Sequence, residues 1–182
     1  MTSKLKLDVL ETGSGSGTIA LNNQLSGMTA ASVPALTSAH MPAGSIIQVQ
    51  SRSTGTVTTS TSTSWVDTDV YVDITPQFSN SRIVIIMSSQ YRTYGWATYR
   101  LSRRDNSNTI LANIIGIGGE HSLGGGQTAE QRSTLTVTQI DSPATTSALK
   151  YRMAIKKYNQ TTPFNLPESG FHANITVMEV AV

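Results

Sequence analysis

Three aspartates that lie close together in the chain, Asp67, Asp69 and Asp73, come nearest to a catalytic arrangement. Two carboxylates on either side of a glycosidic bond can cleave a glycan by general acid and base catalysis. Residues two apart in a strand point to the same side, so Asp69 and Asp73 should share the polar face opposite Val70. This pattern favours solvated strand charges over a buried acid pair, and we therefore expect no hydrolase activity.

Two further motifs could bind a metal ion or a phosphate group. His40, His121 and His172 are far apart and form no H-x-x-x-H or H-E-x-x-H spacing, so ordinary histidines are favoured over a metal site. The glycine-rich residues 116–126 lack the Gly-Lys-Ser/Thr ending of a phosphate-binding loop, and no helical pattern follows them. A loop at a sheet edge that packs against a neighbouring backbone is the better interpretation. We expect neither a metal nor a cofactor.

Residues 91–100 hold four of the eleven aromatic side chains of the chain. Tyr91, Tyr94 and Trp96 are the candidate contacts for a glycan, because aromatic rings beside arginine and hydroxyl groups can stack on sugar rings. The alternative is that these rings fill the core or a subunit interface, where Tyr and Trp are enriched. Arg103 and Arg104 follow this segment and are predicted to lie in a solvated turn rather than in an anion site.

The composition restricts the class of protein. Charged residues make up 13 % of the chain, about half the usual share of roughly 25 %, and 23 Ser and 25 Thr take their place. Thirteen basic against eleven acidic residues give a net charge of +2, too balanced for a nucleic-acid-binding surface. There is no cysteine, so disulfides and thiolate metal sites are excluded, and subunit burial is a candidate replacement.

The hydropathy pattern predicts neither a leader nor a membrane span. The first eleven residues lack an apolar segment as long as a signal peptide needs. The longest purely apolar run is Ile83–Met87, far below the roughly 20 residues that span a bilayer. We expect a protein that is made in the cytoplasm, does not insert into a membrane, and leaves the cell by lysis.

Strand patterns with period two recur from residue 45 onward, separated by turn residues, and no window shows a helical period. The run Ile83–Met87 is typical of a strand that is covered on both faces. The predicted strands are 45–50, 69–74, 82–91, 97–103, 109–115, 133–140, 149–155 and 171–180. Eight strands of this kind predict an all-β fold, an antiparallel β-sandwich that is jelly-roll-like, with the strand order left open.

An extended N-terminal arm precedes this sandwich. Two short strand patterns flank the flexible Gly-Ser run at residues 13–17, and two isolated strands need a partner surface to bury their apolar side. We interpret residues 1–44 as an attachment arm and connector and residues 45–182 as the sandwich domain; a frayed terminus is the alternative for the arm. The candidate anchors of the arm are Leu5, Leu7, Val9, Ile19 and Leu21.

The opening SKLKLDVLETGSGSGTIALNNQLSGM, residues 3–28, resembles that of small bacteriophage structural proteins, especially of marine cyanophages, identified as fibre, tail-fibre or virion proteins. Residues 42–50, 79–89, 99–106 and 140–156 are similar to the same group, so the resemblance covers most of the chain. It implies a C-terminal jelly-roll-like sandwich, often trimeric, and an N-terminal part that fastens it to the virion through Leu5, Leu7 and Val9. No catalytic motif comes with it.

The sequence therefore predicts a non-enzymatic phage virion structural protein. We expect a homotrimeric fibre or appendage whose arm docks on a tail, portal or capsid protein through added strands or grooves, and whose sandwich faces outward. Two alternatives remain open: an adhesin module that binds a host surface glycan, and a capsid decoration or cement protein. The expected location is the virion.

Overall fold

The structure is a computed structural model that describes residues 41–115, 121–123, 130–158 and 162–182, with the backbone alone at 121–123. These residues contain strands and connections but no helix, so the prediction of an all-β fold is confirmed. The strands are β1 (Ile46–Thr54), β2 (Thr58–Ser60), β3 (Val66–Ile74), β4 (Arg82–Tyr94), β5 (Ala97–Arg104), β6 (Ile110–Asn113), β7 (His121–Leu123), β8 (Glu130–Asp141), β9 (Leu149–Lys157), β10 (Phe164–Leu166) and β11 (Ala173–Val180).

The strands form two antiparallel sheets whose pairing is nested. In sheet 1, β1 pairs with β11, β11 with β4, and β4 with β8; the short β10 and β2 extend the sheet beside the last residues of β4. In sheet 2, β3 pairs with β9 and β9 with β5, while β6 and β7 share the other edge of β5. The first strand pairs with the last, β1 with β11, and the inner strands follow the same rule: β2 with β10, β3 with β9, β4 with β8 and β5 with β7. This nested pairing is that of one long hairpin rolled into two sheets. The predicted jelly-roll-like sandwich is confirmed, and its strand order is now known.

The core lies between the two sheets and follows from the period of two. In β4, Ile83, Ile85 and Met87 are fully buried and point toward sheet 2. Leu101 on β5 and Met153 on β9 approach from the other side and are also fully buried. Each such side chain stabilises the fold by about 2 kcal/mol through the removal of apolar surface from water.

The outward side chains of β4 correct one prediction. The run Ile83–Met87 was expected in a strand covered on both faces, yet the Ile86 side chain is 40 % exposed. Val84 is also only partly buried. Sheet 2 covers one side of β4, and no element of the described chain buries the other. Strand β4 therefore has the composition of a strand that is buried on both sides, but one of its apolar sides is exposed in the described structure.

Arg103 and Arg104 also differ from the expectation of a solvated turn. Strand β5 extends through both, because its pairing with β9 continues as far as Arg104 opposite Lys150. The Arg103 guanidinium donates hydrogen bonds of 2.9 and 2.8 Å to the two carboxylate oxygens of Asp141, which joins sheet 2 to β8 of sheet 1. The turn begins one residue later, where the Asn108 amide donates to the Asp105 carbonyl oxygen at 3.0 Å.

Glu179 is a fully buried carboxylate at the inner side of β11. Its oxygens accept hydrogen bonds from the backbone amides of Gln77 and Phe78, from the Ser81 hydroxyl at 2.7 Å and from the Gln48 amide at 2.6 Å. Burial alone would raise the pKa of Glu179, but these hydrogen bonds outweigh it and lower the pKa below its usual value. The ionised side chain thus holds the β3–β4 connection and β1 against β11.

Candidate functional site

The outer side of sheet 1 carries a row of apolar side chains that crosses four strands. The register places Val49 of β1, Met178 of β11, Val84 of β4 and Ile140 of β8 side by side. Val49 and Ile140 are both more than half exposed, Ile140 at 62 %. This row is a continuous apolar strip that the described part of the chain leaves open to solvent.

Two further rows continue this surface along the strands. They consist of Ser51, Thr176, Ile86 and Thr138, followed by Ser53, Asn174, Ser88 and Thr136. The hydroxyl groups of Ser51 and Thr176 are hydrogen-bonded to each other at 3.0 Å. None of the twelve side chains in the three rows is charged. We call these three rows the uncharged face.

The outer side of sheet 2, in contrast, holds ion pairs, and we call it the charged face. Arg104 is only 3 % exposed and donates two hydrogen bonds of 2.6 Å to the carboxylate of Asp67. Burial would raise the pKa of Asp67, but the hydrogen bonds from Arg104 and Asn108 outweigh it and lower that pKa. Arg152 lies 3.6 Å from the same carboxylate. This carboxylate is therefore held ionised by its neighbours.

The other two aspartates of the predicted cluster are paired as well. Thr54 donates a hydrogen bond of 2.7 Å to Asp69, and Arg52 donates two of 3.1 and 2.9 Å; the Thr54 bond, ahead of the Arg52 bonds, lowers the pKa of Asp69. Asp73 is exposed and lies 3.5 Å from the Lys150 ammonium. The aspartates are thus surface charges, as predicted, but each has a cationic partner rather than water alone. Their arrangement is that of structural ion pairs.

The aromatic rings of the charged face are in contact with cations. Arg52, Lys150 and Arg152 lie 3.7, 4.8 and 4.9 Å from the centre of the Tyr71 ring. Such contacts contribute roughly 0.5–1 kcal/mol each at exposed sites. The Tyr71 ring is therefore already in contact with three cations of the same chain. Most charged and aromatic groups of the charged face pair with one another.

The three predicted glycan contacts do not meet on one surface. Tyr91 is buried and packs edge-on against Phe164 with ring centres 6.1 Å apart, whereas Tyr94, three residues later, lies on the outer side of β4. Trp96 follows in the turn, 46 % exposed, edge-on to Tyr158 at 6.5 Å. The alternation of β4 separates Tyr91 from Tyr94, so the three rings form no common platform.

Several predicted residues lie outside the described part of the chain. These are the arm anchors Leu5, Leu7, Val9, Ile19 and Leu21, together with His40 and most of the glycine-rich loop. His172 is described, is exposed, and packs close to Gly55 between β1 and β2. Among the described side chains there is no group of three potential metal ligands. Nor does the described chain contain a helix long and apolar enough to cross a membrane.

A groove of about 520 Å³ opens at the end of sheet 1 that lies beyond the uncharged face. Its lining residues are Tyr91, Glu130, Gln131, Arg132 and Ser133, and we call it the polar groove. The Tyr94 hydroxyl and the Arg132 guanidinium both donate hydrogen bonds to the Glu130 carboxylate. A second guanidinium nitrogen of Arg132 lies 3.1 Å from Glu168, so one arginine bridges two carboxylates.

The electrostatics of the polar groove follow from these contacts. The Tyr94 hydrogen bond, followed by that of Arg132, lowers the pKa of Glu130, and Glu130 in turn raises the pKa of Arg132. Glu130 and Arg132 therefore stay ionised and paired over the whole physiological range. Glu130 and Arg132 went unnoticed in the sequence, although their spacing of two places both on one side of β8. Glu168 comes from a separate loop, and no local pattern connects it to them.

A comparison with protein-family models finds no match, and no curated protein sequence matches this chain.

Proposed function

We propose that this protein is a non-enzymatic structural protein of a bacteriophage virion. It is a homotrimeric fibre or appendage in which the sandwich faces outward and residues 1–44 dock it to a tail, portal or capsid protein. The observation that supports subunit association is the uncharged face, where an exposed apolar row is followed by two rows of mostly hydroxyl side chains. The resemblance of residues 3–28 and of four later segments supports the virion role.

The chemistry of the uncharged face suits a second copy of the same chain. Around a threefold axis the same groups of three copies approach one another, and charges there would repel one another or require desolvation. A surface of aliphatic and hydroxyl groups has neither cost, and the centres of interfaces are depleted of charged residues. Interfaces between copies also supply the apolar burial that a chain without disulfides lacks.

The area of the uncharged face fits the centre of such an interface. Four strands about 4.8 Å apart and three rows about 6.7 Å apart cover roughly 400 Å² of flat sheet. A typical stable interface buries about 800 Å² on each partner, of which the centre is apolar and the rim polar. The three rows thus supply the centre, and the neighbouring side chains of sheet 1 supply the rim.

The test is the mass of the full chain in solution by light scattering, where one subunit contributes 19.5 kDa. We expect three times that mass. Ile86→Lys should shift the protein toward the monomer, because it places an ammonium at the centre of the uncharged face. The matched control is Ile110→Lys on β6 of sheet 2, since Ile110 is 39 % exposed and Ile86 is 40 % exposed. A monomeric wild type, or equal effects of both variants, would contradict the proposal.

The docking role of the arm has its own test. Deletion of residues 1–25 should leave a folded sandwich, seen as an unchanged β-type circular dichroism spectrum, that no longer enters phage particles. An unfolded deletion product, or normal incorporation into particles, would count against this role.

A further inference from the structure

We propose that the polar groove is a binding site for a neutral saccharide. It lies on the β8 side of sheet 1, with Arg132 four residues from Thr136 in the nearest row of the uncharged face, or about 13 Å along the strand. The groove therefore lies beyond the three rows of the uncharged face. The proposal does not depend on the virion role or on the trimer.

The charge balance of the groove selects the class of ligand. Glu130 and Glu168 supply two negative charges and Arg92 and Arg132 two positive ones, with the nearest Arg92 and Glu130 atoms 4.0 Å apart. A phosphate or sulfate would meet both carboxylates, and a cation would meet both guanidinium groups. A neutral ligand is repelled by neither pair.

The types of polar group match sugar hydroxyls. A hydroxyl both donates and accepts hydrogen bonds, so neighbouring hydroxyls of a sugar need acceptors and donors side by side. The Glu130 carboxylate provides acceptors, the Arg132 guanidinium provides donors in a fixed plane, and Gln131 and Ser133 provide both. Hydrogen bonds to ionised groups are also the stronger ones.

Two buried atoms beside the groove have unused hydrogen-bonding capacity. Within the described part of the chain, the Arg92 Nε and the Asn165 Oδ1 atoms have no hydrogen-bond partner, although Asn165 is only 5 % exposed. The register places Asn165, Arg92 and Arg132 in one row across β10, β4 and β8. Buried polar atoms without partners are uncommon in folded proteins. Arg132 lines the groove, so the row that carries these two unpartnered atoms ends at the proposed site.

The shape and the aromatic lining agree with the same ligand. A volume of about 520 Å³ falls within the range of roughly 300–1,000 Å³ that is typical of ligand pockets. Tyr91 is one of the lining residues, but its ring packs against Phe164 in the core, so the Tyr94 ring beside Glu130 is the aromatic surface available to a ligand. Aromatic rings present an apolar body to the C–H face of a sugar while hydrogen-bonding groups take its hydroxyls.

The experiment begins with the full chain on an array of neutral oligosaccharides, with sulfated and uronate-containing oligosaccharides as the anionic arm. The strongest neutral binder is then titrated by calorimetry. We expect Glu130→Gln to weaken binding about tenfold or more, because a carboxylate that accepts ligand hydroxyls is replaced by an amide. Tyr94→Phe keeps the ring and removes the hydroxyl that orients Glu130, so we expect a loss of only a few-fold. Thr146→Ala, exposed in the connection after β8 and outside both the groove and the uncharged face, should stay within twofold of the wild type.

Three outcomes would overturn the proposal: no binding of any neutral oligosaccharide up to about 10 mM, the limit of weak but specific affinity; a preference for the anionic arm; or equal affinities of wild type and Glu130→Gln. Circular dichroism of each variant separates a lost site from a lost fold. The mass in solution is measured on the same samples, so a trimer that binds no glycan contradicts only this inference, whereas a monomer that binds glycan contradicts only the trimer.

Discussion

The two outer faces of the sandwich differ in the chemistry of their side chains. The uncharged face of sheet 1 leaves Val49, Ile86 and Ile140 exposed in rows that contain no charge. On the charged face of sheet 2, the outward aspartates are paired with arginine or lysine, and the Tyr71 ring is surrounded by cations. A face whose groups already satisfy one another needs no partner, whereas an exposed apolar face gains free energy when it is covered.

The two outer faces also differ in the number of charged side chains. Among the described residues, the outer side of sheet 2 carries five cations and three carboxylates: Arg100, Arg104, Lys150, Arg152 and Lys156, with Asp67, Asp69 and Asp73. Arg52, from the edge strand β1 of sheet 1, adds a further cation at the Asp69 carboxylate. Basic groups thus cover the outer side of sheet 2, whereas the three rows of the uncharged face carry none, and Arg92 and Arg132 of sheet 1 lie beyond those rows at the polar groove. This asymmetry predicts that the ion pairs of the charged face stabilise the fold of one chain, and that the uncharged face forms the contact between subunits.

The largest expected effect comes from Arg104→Met on the charged face. Removing the guanidinium deprives Asp67 of two hydrogen bonds, and breaking a buried ion pair costs about 3–5 kcal/mol. Because Asp67 is one-third exposed and can regain water, we expect about 3 kcal/mol in urea unfolding at fixed subunit concentration. Arg52→Met is the control: both partners of the Arg52–Asp69 pair are about one-third exposed, so loss of the pair and of the contact with Tyr71 should together cost about 1–2 kcal/mol. Equal losses would mean that burial does not distinguish these pairs.

An intermediate effect is expected from Glu179→Gln, which changes the inner side of sheet 1 and leaves its outer face intact. The amide cannot accept hydrogen bonds as a carboxylate does, so we expect a loss of about 2 kcal/mol at pH 7. The pKa of Glu179 is lowered on folding, so its contribution is complete above the unfolded value near 4.5 and is lost as the pH falls through the folded value. The variant and the wild type should therefore converge in acid.

The same pH series tests the comparison of the faces. The pKa values of Asp67 and Asp69 are also lowered, so the charged face loses its stabilising effect only as the pH falls below about 4. The described side chains of the uncharged face include no titratable group. The mass in solution should consequently stay constant between about pH 5 and pH 8. A mass that changes in this range would place a titrating group at the subunit contact.

The smallest expected effect comes from the double variant Val49→Thr and Ile140→Thr. Both side chains are more than half exposed in the single chain, so unfolding of the monomer should change by less than about 0.5 kcal/mol. Association should weaken by roughly 1–2 kcal/mol, because less apolar surface is removed from water. Sedimentation equilibrium measures this shift. A large loss of monomer stability with unchanged association would reverse the roles assigned to the two faces.

Much of the fold follows from local pattern. The period of two in Val70, Val72 and Ile74 predicted which side of β3 is buried, and all three are in the core. The pattern predicted a strand at 97–103, one residue shorter than β5, because Arg104 begins a segment with the composition of a turn, and it predicted solvated side chains for Arg103 and Arg104. Their strand conformation depends on pairing with β9, about fifty residues further along the chain. A local pattern contains no information about such a partner.

The candidate sites were harder to predict for the same reason. The aromatic segment around Tyr91, Tyr94 and Trp96 drew attention as one stretch, but a strand distributes neighbouring residues to opposite sides. In the polar groove, Glu130 and Arg132 lie close to Glu168, which is distant from them in the sequence and comes near them only in the folded protein. Residues this far apart in the sequence come into contact because the sheets pair distant strands, and a local pattern does not show this pairing.

The sequence by itself determined the class of structure: strands separated by turns, an inward and an outward side for each strand, and a surface with few charges. These properties depend on the alternation of side chains along one strand, which is a matter of backbone geometry. Only the tertiary structure decided which outward sides lie together. The pairing of β1, β11, β4 and β8 collected uncharged side chains, while that of β3, β9 and β5 collected ion pairs. The physical reason is that hydrogen-bonded register between distant strands, and not neighbourhood in the chain, sets which side chains share a surface.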